Sequence, residues 1–232
     1  NEKLKAVVRM AAQSKIPIRI GVNAGSLEKK YQRTGLARPE AMVASLLDKI
    51  KFIEDQHFFE LKVSLKSHDV RETVAANRLA DRSCPYPLHL GVTEAGTFFS
   101  GSIRSALGIG SLLLDGIGNT IRVSLTADPV REIGVARQIL AAAGLSRSGI
   151  ELISCPTCAR TSVDLIPLVA EFEKKTARLQ FHGRVRVAIM GCEVNGPGEA
   201  GDADIGLAFS KRHGFLFKKG RIVARTDAGG GL

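Results

Sequence analysis

Four runs in the first two-thirds of the chain alternate between aliphatic and polar residues, and each is followed by a helical pattern. IPIRIGVN (16–23) leads through a loop to a helical stretch from about Pro39 to Gln56. FFELKVSLK (58–66) leads to a helix at about 68–81, and PLHLGVT (87–93) passes through a glycine-containing loop to one at about 102–114. NTIRVSLT (119–126) leads to a helix at about 129–143, with Asp128 and Pro129 as cap and first-turn residue. Residues 2–14 read as one more helix. Such alternation predicts a parallel sheet with helices packed outside it, an α/β arrangement.

Side chains alternate across a strand, so each run has two faces. One parity is aliphatic: Ile18, Ile20 and Val22; Leu61, Val63 and Leu65; Leu88, Leu90 and Val92; Ile121, Val123 and Leu125. The other carries Arg19 and Asn23; Lys62, Ser64 and Lys66; His89 and Thr93; Arg122 and Ser124. Buried parallel strands are usually apolar on both faces. Neighbouring strands that each bring a cation or a His to one side point to an anion-binding cavity rather than to scattered ion pairs. In a (β/α) barrel such a site lies at the C-terminal strand ends. That expectation puts Asn23, Lys66, Glu94 and Ser124 near the mouth. Glu94 follows the third run in GVTEAG, where a carboxylate can exchange a proton or balance charge.

The small, polar stretch AAGLSRSG (142–149) predicts a boundary, with one domain over 1–146 and another over 147–232. In the second, GIELIS (149–154) delivers a CPTC turn, followed by a helix from about Ser162 to Thr176. RVRVAIM (184–190) delivers GCEVNGPGE, and short strands at about 203–209, 214–218 and 221–225 complete an α+β domain. Both turns follow strands, which lets Cys155, Cys158, Cys192 and Glu199 meet at one sheet edge. Three thiolates are soft ligands suited to iron–sulfur clusters or zinc, and a carboxylate is a harder, more easily displaced fourth. A closed structural zinc site ordinarily takes a fourth Cys or a His. Cys84 has no cysteine neighbour in sequence and reads as a bystander.

Composition narrows the function classes. No run approaches the roughly 20 apolar residues of a membrane span, and the first residues do not read as a signal peptide. A CxxC pair without an export signal points to a reducing cytoplasm. The net charge of +10 implies an anionic partner. With no Trp, two Tyr and dispersed basic residues, a small phosphorylated substrate accounts for the charge at least as well as nucleic acid.

IPIRIGVNAGSLEK, PLHLGVTEAG, DGIGNTIRVSLTADP, CPTC and GCEVNGPGEA, in this order over nearly the whole chain, closely resemble the hydroxymethylbutenyl diphosphate synthase (GcpE) family. The resemblance implies the second half of a TIM barrel followed by a small α+β iron–sulfur domain. It implies a [4Fe–4S] cluster on Cys155, Cys158, Cys192 and Glu199, an active-site carboxylate at Glu94, and substrate contacts at Arg19, Asn23, Lys66, Arg122 and Ser124, with His89 nearby. The implied reaction is the reductive ring opening and dehydration of 2-C-methyl-D-erythritol 2,4-cyclodiphosphate to 4-hydroxy-3-methylbut-2-enyl diphosphate. The implied partners are flavodoxin or ferredoxin as electron donor and a second copy of the chain in a homodimer, with neither nucleic acid nor membrane. Only four barrel strands are present, so roughly four more βα units are expected before them. Two rivals remain: a zinc-stabilised basic module for nucleic acid, and a thiol–disulfide oxidoreductase using Cys155 and Cys158.

Overall fold

The computed structural model describes residues 2–177, 179, 181–194, 198 and 200–227. The chain forms two compact units, Asn1–Leu145 and Ser146–Leu232. No helix among the described residues is long and apolar enough to cross a membrane.

The first unit runs α1 (Glu2–Ser14), β1 (Ile18–Asn23), a 3-10 turn (Ala24–Ser26), α2 (Lys29–Gln32), α3 (Arg38–Glu54) and β2 (Leu61–Lys66). It continues with α4 (Val70–Ser83), β3 (His89–Leu90), α5 (Phe98–Leu114), β4 (Thr120–Ile121) and α6 (Pro129–Ala142). β1 pairs with β2 in parallel, Ile18 opposite Leu61 and Asn23 opposite Lys66. A parallel bridge between Val63 and Leu88 joins β2 to the third run, and β3 pairs in parallel with β4. The lateral order is therefore β1-β2-β3-β4, a partial barrel whose aliphatic faces look outward to the helices.

Ile20, Val22, Leu61, Val63, Leu65, Leu88, Leu90 and Val123 join Met42, Leu46, Ile50, Ala76, Ile109 and Leu112 of α3, α4 and α5 in one buried cluster. Full burial of each such Leu, Ile or Val is worth roughly 1.5–3 kcal/mol, and the parity of the strands decides which face receives it. Asp69 caps α4 by accepting from Glu72 N at 3.0 Å, and Asp128 caps α6 by accepting from Val130 N at 2.9 Å.

Three local differences from the sequence pattern have physical causes. α5 begins at Phe98 rather than near 102, because Gly101 N donates to Thr97 O at 2.7 Å and closes a turn at the glycine. The stretch after β1 holds a 3-10 turn and the one-turn α2, fastened by Gln32 Nε2 donating to Leu27 O. β3 and β4 are two residues each, far shorter than their alternating runs. Among the described residues β4 has a strand on one side only, so its ladder lacks support from the other.

The second unit is one sheet in the order β5-β6-β7-β8-β9, made of β5 (Gly149–Ser154), β6 (Arg184–Met190), β7 (Ile205–Phe209), β8 (His213–Lys218) and β9 (Arg221–Asp227). β5, β6 and β7 pair in parallel, and β8 and β9 continue antiparallel. Alternation along β6 builds both faces: Val187 and Ile189 pack with Leu165, Leu168, Val169 and Phe172 of α7 (Leu165–Thr176) and with Phe209. Ala188 and Met190 pack with Ala208 and Phe217 on the opposite side. α7 starts three residues later than its sequence pattern because Ser162 is held elsewhere, donating through Oγ to Gly191 O and Phe209 O at 3.0 and 3.1 Å.

Candidate functional site

The polar parity of the first unit gathers its cations on one surface. Register places Arg19 beside Lys62 and Asn23 beside Lys66, the last residues of β1 and β2. Arg19 Nη1 donates to Ser64 Oγ at 2.8 Å, which fixes the guanidinium across the β1–β2 pair. Lys66 and Ser64 are only 2% and 1% exposed, so the lysine is a buried cation rather than a residue of an open mouth. Burial, and then the charges of Arg122 and Arg19, push its ammonium down to about 8.

His89, opposite Thr120 in the β3–β4 pair, shares a 2.8 Å hydrogen bond with it between Nδ1 and Oγ1. Burial, with the charges of Lys66, Arg19, Arg122 and Lys62, pushes its imidazole down to about 4. The ion pairs of this unit join Lys5, Lys30, Arg38, Lys49, Lys51 and Arg78 to carboxylates. Among the described residues none involves Arg19, Lys62, Lys66 or Arg122. A set of mutually repelling cations without a carboxylate is the arrangement that an anionic ligand neutralises.

Two glycines that the sequence reading passed over complete this surface. A Cβ on Gly91 would lie 2.7 Å from Arg122 O and 3.1 Å from Lys66 Cε, so only glycine leaves the lysine stem its path across β3. Gly21 plays a milder part between Ser64 and Arg19, where a Cβ would meet Ser64 Oγ at 3.3 Å. The signal for both was their place on the polar parity, Gly21 between Arg19 and Asn23 and Gly91 between His89 and Thr93.

Glu94 lies in the loop between β3 and α5, exposed, with φ at 53°. A left-handed backbone on a non-glycine residue costs about 1–2 kcal/mol and is typical of sites where the surroundings impose a conformation. That loop is pinned at both ends: Thr93 N donates to Ser67 O at 3.2 Å, and Thr126 N donates to Gly96 O at 2.8 Å. No ion pair joins Glu94 to the cations among the described residues. Ser124 follows β4 on the polar parity, half-buried.

In the second unit Cys155, Cys158 and Cys192 line one cavity of about 430 Å³ with Ser154, Arg160, Thr161 and Met190. Gly191 N donates to Cys155 Sγ at 3.2 Å, bringing the turn after β6 against the turn after β5. Thr161 Oγ1 accepts from Cys158 N at 3.0 Å and lies 3.9 Å from its Sγ. Donation from the Arg160 backbone, followed by the Thr161 hydroxyl, holds the Cys158 thiol below its ordinary range. Glu199 lies outside the described residues, as do Asn195, Gly196 and Pro197. Among the described residues no three His, Cys, Asp or Glu side chains close on the position of a single metal ion. Cys84 packs beside the core of the first unit and joins none of this.

Residues 1–137 match the family described as the GcpE TIM-barrel domain, and residues 151–229 match the GcpE protein C-terminal domain. The chain is similar to proteins named 4-hydroxy-3-methylbut-2-en-1-yl diphosphate synthase (flavodoxin). It is 54% identical over 222 residues to that of Caldanaerobacter subterraneus, covering 95% of this chain and 62% of the relative. It is 51% identical over 225 residues to that of Geobacter sulfurreducens, covering 97% and 63%. The Geobacillus kaustophilus protein is 51% identical over 226 residues, covering 97% of this chain and 60% of its own length.

Proposed function

The chain belongs to the GcpE family, and from that premise we propose that the protein is an iron–sulfur oxidoreductase acting on a cyclic diphosphate. The proposed reaction converts 2-C-methyl-D-erythritol 2,4-cyclodiphosphate to 4-hydroxy-3-methylbut-2-enyl diphosphate, taking up two electrons and one proton, releasing water and leaving the freed phosphate oxygen as an oxyanion. Flavodoxin or ferredoxin supplies the electrons. The observation that carries the reading is the unneutralised set of Arg19, Lys66 and Arg122 around His89, which calls for an anion of more than one charge.

Arg19, Lys66 and Arg122 hold the two phosphates, and Asn23 and Ser124 orient them. As the ring carbon–oxygen bond breaks, its phosphate oxygen becomes an oxyanion, and these cations are already in place to stabilise it. His89, neutral beside them, offers a hydrogen bond without adding charge. Glu94 holds the proton that leaves with the departing hydroxyl as water.

Cys155, Cys158 and Cys192 fit a [4Fe–4S] cluster, with Glu199 as the fourth and exchangeable ligand. Three soft donors share a cavity more than ten times the roughly 30 Å³ that one water occupies in the liquid. The family match and the named relatives lend the zinc module no support. When bound, the cluster supplies electron transfer to the substrate. The homodimer and a cytoplasmic site of action belong to the same proposal, motivated by the resemblance and by a set of reduced cysteines.

Anaerobic reconstitution tests this directly: about four iron and four acid-labile sulfide per chain are expected. Zinc without sulfide overturns the assignment. In the full-length protein, Glu94→Gln is expected to keep the cluster absorption while turnover falls by roughly 10²–10⁴-fold. Near-normal turnover removes Glu94 from the chemistry.

A further inference from the structure

A second cavity, of about 470 Å³, shares Arg160, Thr161 and Cys192 with the thiol-lined one. It is lined further by the turn between β7 and β8, including Lys211, Arg212 and His213, and Glu193 is its one carboxylate. The ion pairs of this unit engage Lys175, Arg184 and Arg186 among the described residues, so Arg160, Lys211 and Arg212 carry no ion-pair partner there. All three are exposed.

The basic turn is fastened to the cysteine turn. Ser210 N donates to His213 O at 2.8 Å, and Ser210 Oγ accepts from the N–H groups of Arg212 and His213 at 3.4 and 3.1 Å. Ser162 Oγ donates to both Gly191 O and Phe209 O, tying the residue before Cys192 to the end of β7. A body that settles on Lys211 and Arg212 therefore rests on a rigid frame whose other side is the thiol cavity.

We propose that this face is the docking surface for the electron donor, an acidic carrier protein of the flavodoxin class named with the relatives. The inference rests on the proposed function of the thiol cavity. A small diphosphate suits it less well: exposed cations in water bind a lone anion weakly, whereas a protein surface covers them and gains from complementary charge. The carrier loses one electron at each docking. Two dockings provide the two electrons that the proposed ring opening consumes.

The test measures binding of a recombinant bacterial flavodoxin to the anaerobically reconstituted protein by calorimetry at about 20 and about 200 mM salt. Lys211→Glu/Arg212→Glu is compared with Lys218→Glu/Arg221→Glu, an equal change of net charge at the β8–β9 turn of the same sheet. The first variant should weaken binding at least ~10-fold at low salt and flatten the salt dependence, and the second should stay within ~3-fold of wild type. Equal effects from both pairs, or none from the first, overturn the proposal. Weaker inorganic pyrophosphate binding with unchanged flavodoxin binding also overturns it, giving the face to a small anion instead. Iron and sulfide are measured on the same samples. Intact cluster content with charge-insensitive flavodoxin binding sinks the docking surface alone, whereas zinc without sulfide sinks the proposed function beneath it.

Discussion

Replacing Lys66 by Met should make the first unit more stable at neutral pH while removing much of its anion affinity. The lysine is 2% exposed, and burial together with Arg122 and Arg19 takes its ammonium from 10.5 down to about 8. At roughly 1.36 kcal/mol per pKa unit, keeping it charged at pH 7 costs the fold roughly 3 kcal/mol at most. Solvent relaxation and residual denatured-state structure shrink that figure, so a gain of about 1–2 kcal/mol is expected from a Met of similar length. Below about pH 8 the wild type carries the whole penalty. Above it the unfolded chain still holds a proton that the folded chain has released, so wild-type stability climbs with pH toward 10.5. The Met variant lacks that climb.

Urea titrations at pH 7 and at about pH 9, a unit below the ordinary tyrosine pKa of about 10, separate the two curves. Tyrosine emission reports the first unit by itself, because the chain has no Trp and both tyrosines, Tyr31 and Tyr86, lie there. Inorganic pyrophosphate should bind the variant about 10- to 100-fold more weakly, the loss expected for one charge-assisted hydrogen bond. A variant less stable than wild type at pH 7, or one that keeps its pyrophosphate affinity, would refute the buried-cation account.

The same cations make further claims. His89, held at about 4 by burial and by Lys66, Arg19, Arg122 and Lys62, should show no ring-proton inflection by NMR between about pH 5 and 8. Because the unfolded chain protonates this imidazole first, His89 should lower stability as pH falls from about 6.5 toward 4; saturating pyrophosphate should raise its titration, and an inflection near 6.5 without anion would contradict the geometry. Glu94→Gly should relieve the left-handed backbone at φ 53° and raise unfolding free energy by about 0.5–1 kcal/mol, while abolishing the turnover proposed for this protein; a clear destabilisation would show that no strain resides there. Gly91→Ala places a Cβ 2.7 Å from a backbone oxygen that cannot easily move, so a loss of about 1–3 kcal/mol and weaker pyrophosphate binding are expected, and an unchanged affinity would mean that Lys66 needs no path across β3.

Much of the anion surface is legible in the sequence, since strand parity alone puts Arg19, Lys66, His89 and Arg122 on the side opposite the aliphatic residues. Parity did not show that Lys66 is buried, since burial depends on what Gly91 leaves open and on Arg122 O from the adjacent strand. Nor did it single out Thr120 as the partner of His89, which required the β3–β4 register. The left-handed backbone of Glu94 had no sequence marker, because glycine is the residue expected there. The basic cavity beside Cys192 was the least visible feature. Its walls come from 159–162, 192–194 and 209–213, segments that only β5, β6 and β7 bring side by side.

The order of strands and helices, the division of each strand into an aliphatic and a cationic face, and the presence of three soft ligands after two strands all follow from residue identity at short range. Periodicities of two and 3.6 are local properties of the chain. Which cations lie close enough to depress Lys66 and His89, which thiols share a cavity and what stands beside that cavity were settled by strand register and by turns meeting across the sheet. Those are contacts between distant residues, and a local pattern cannot specify them because one strand can pair in several registers until packing selects among them.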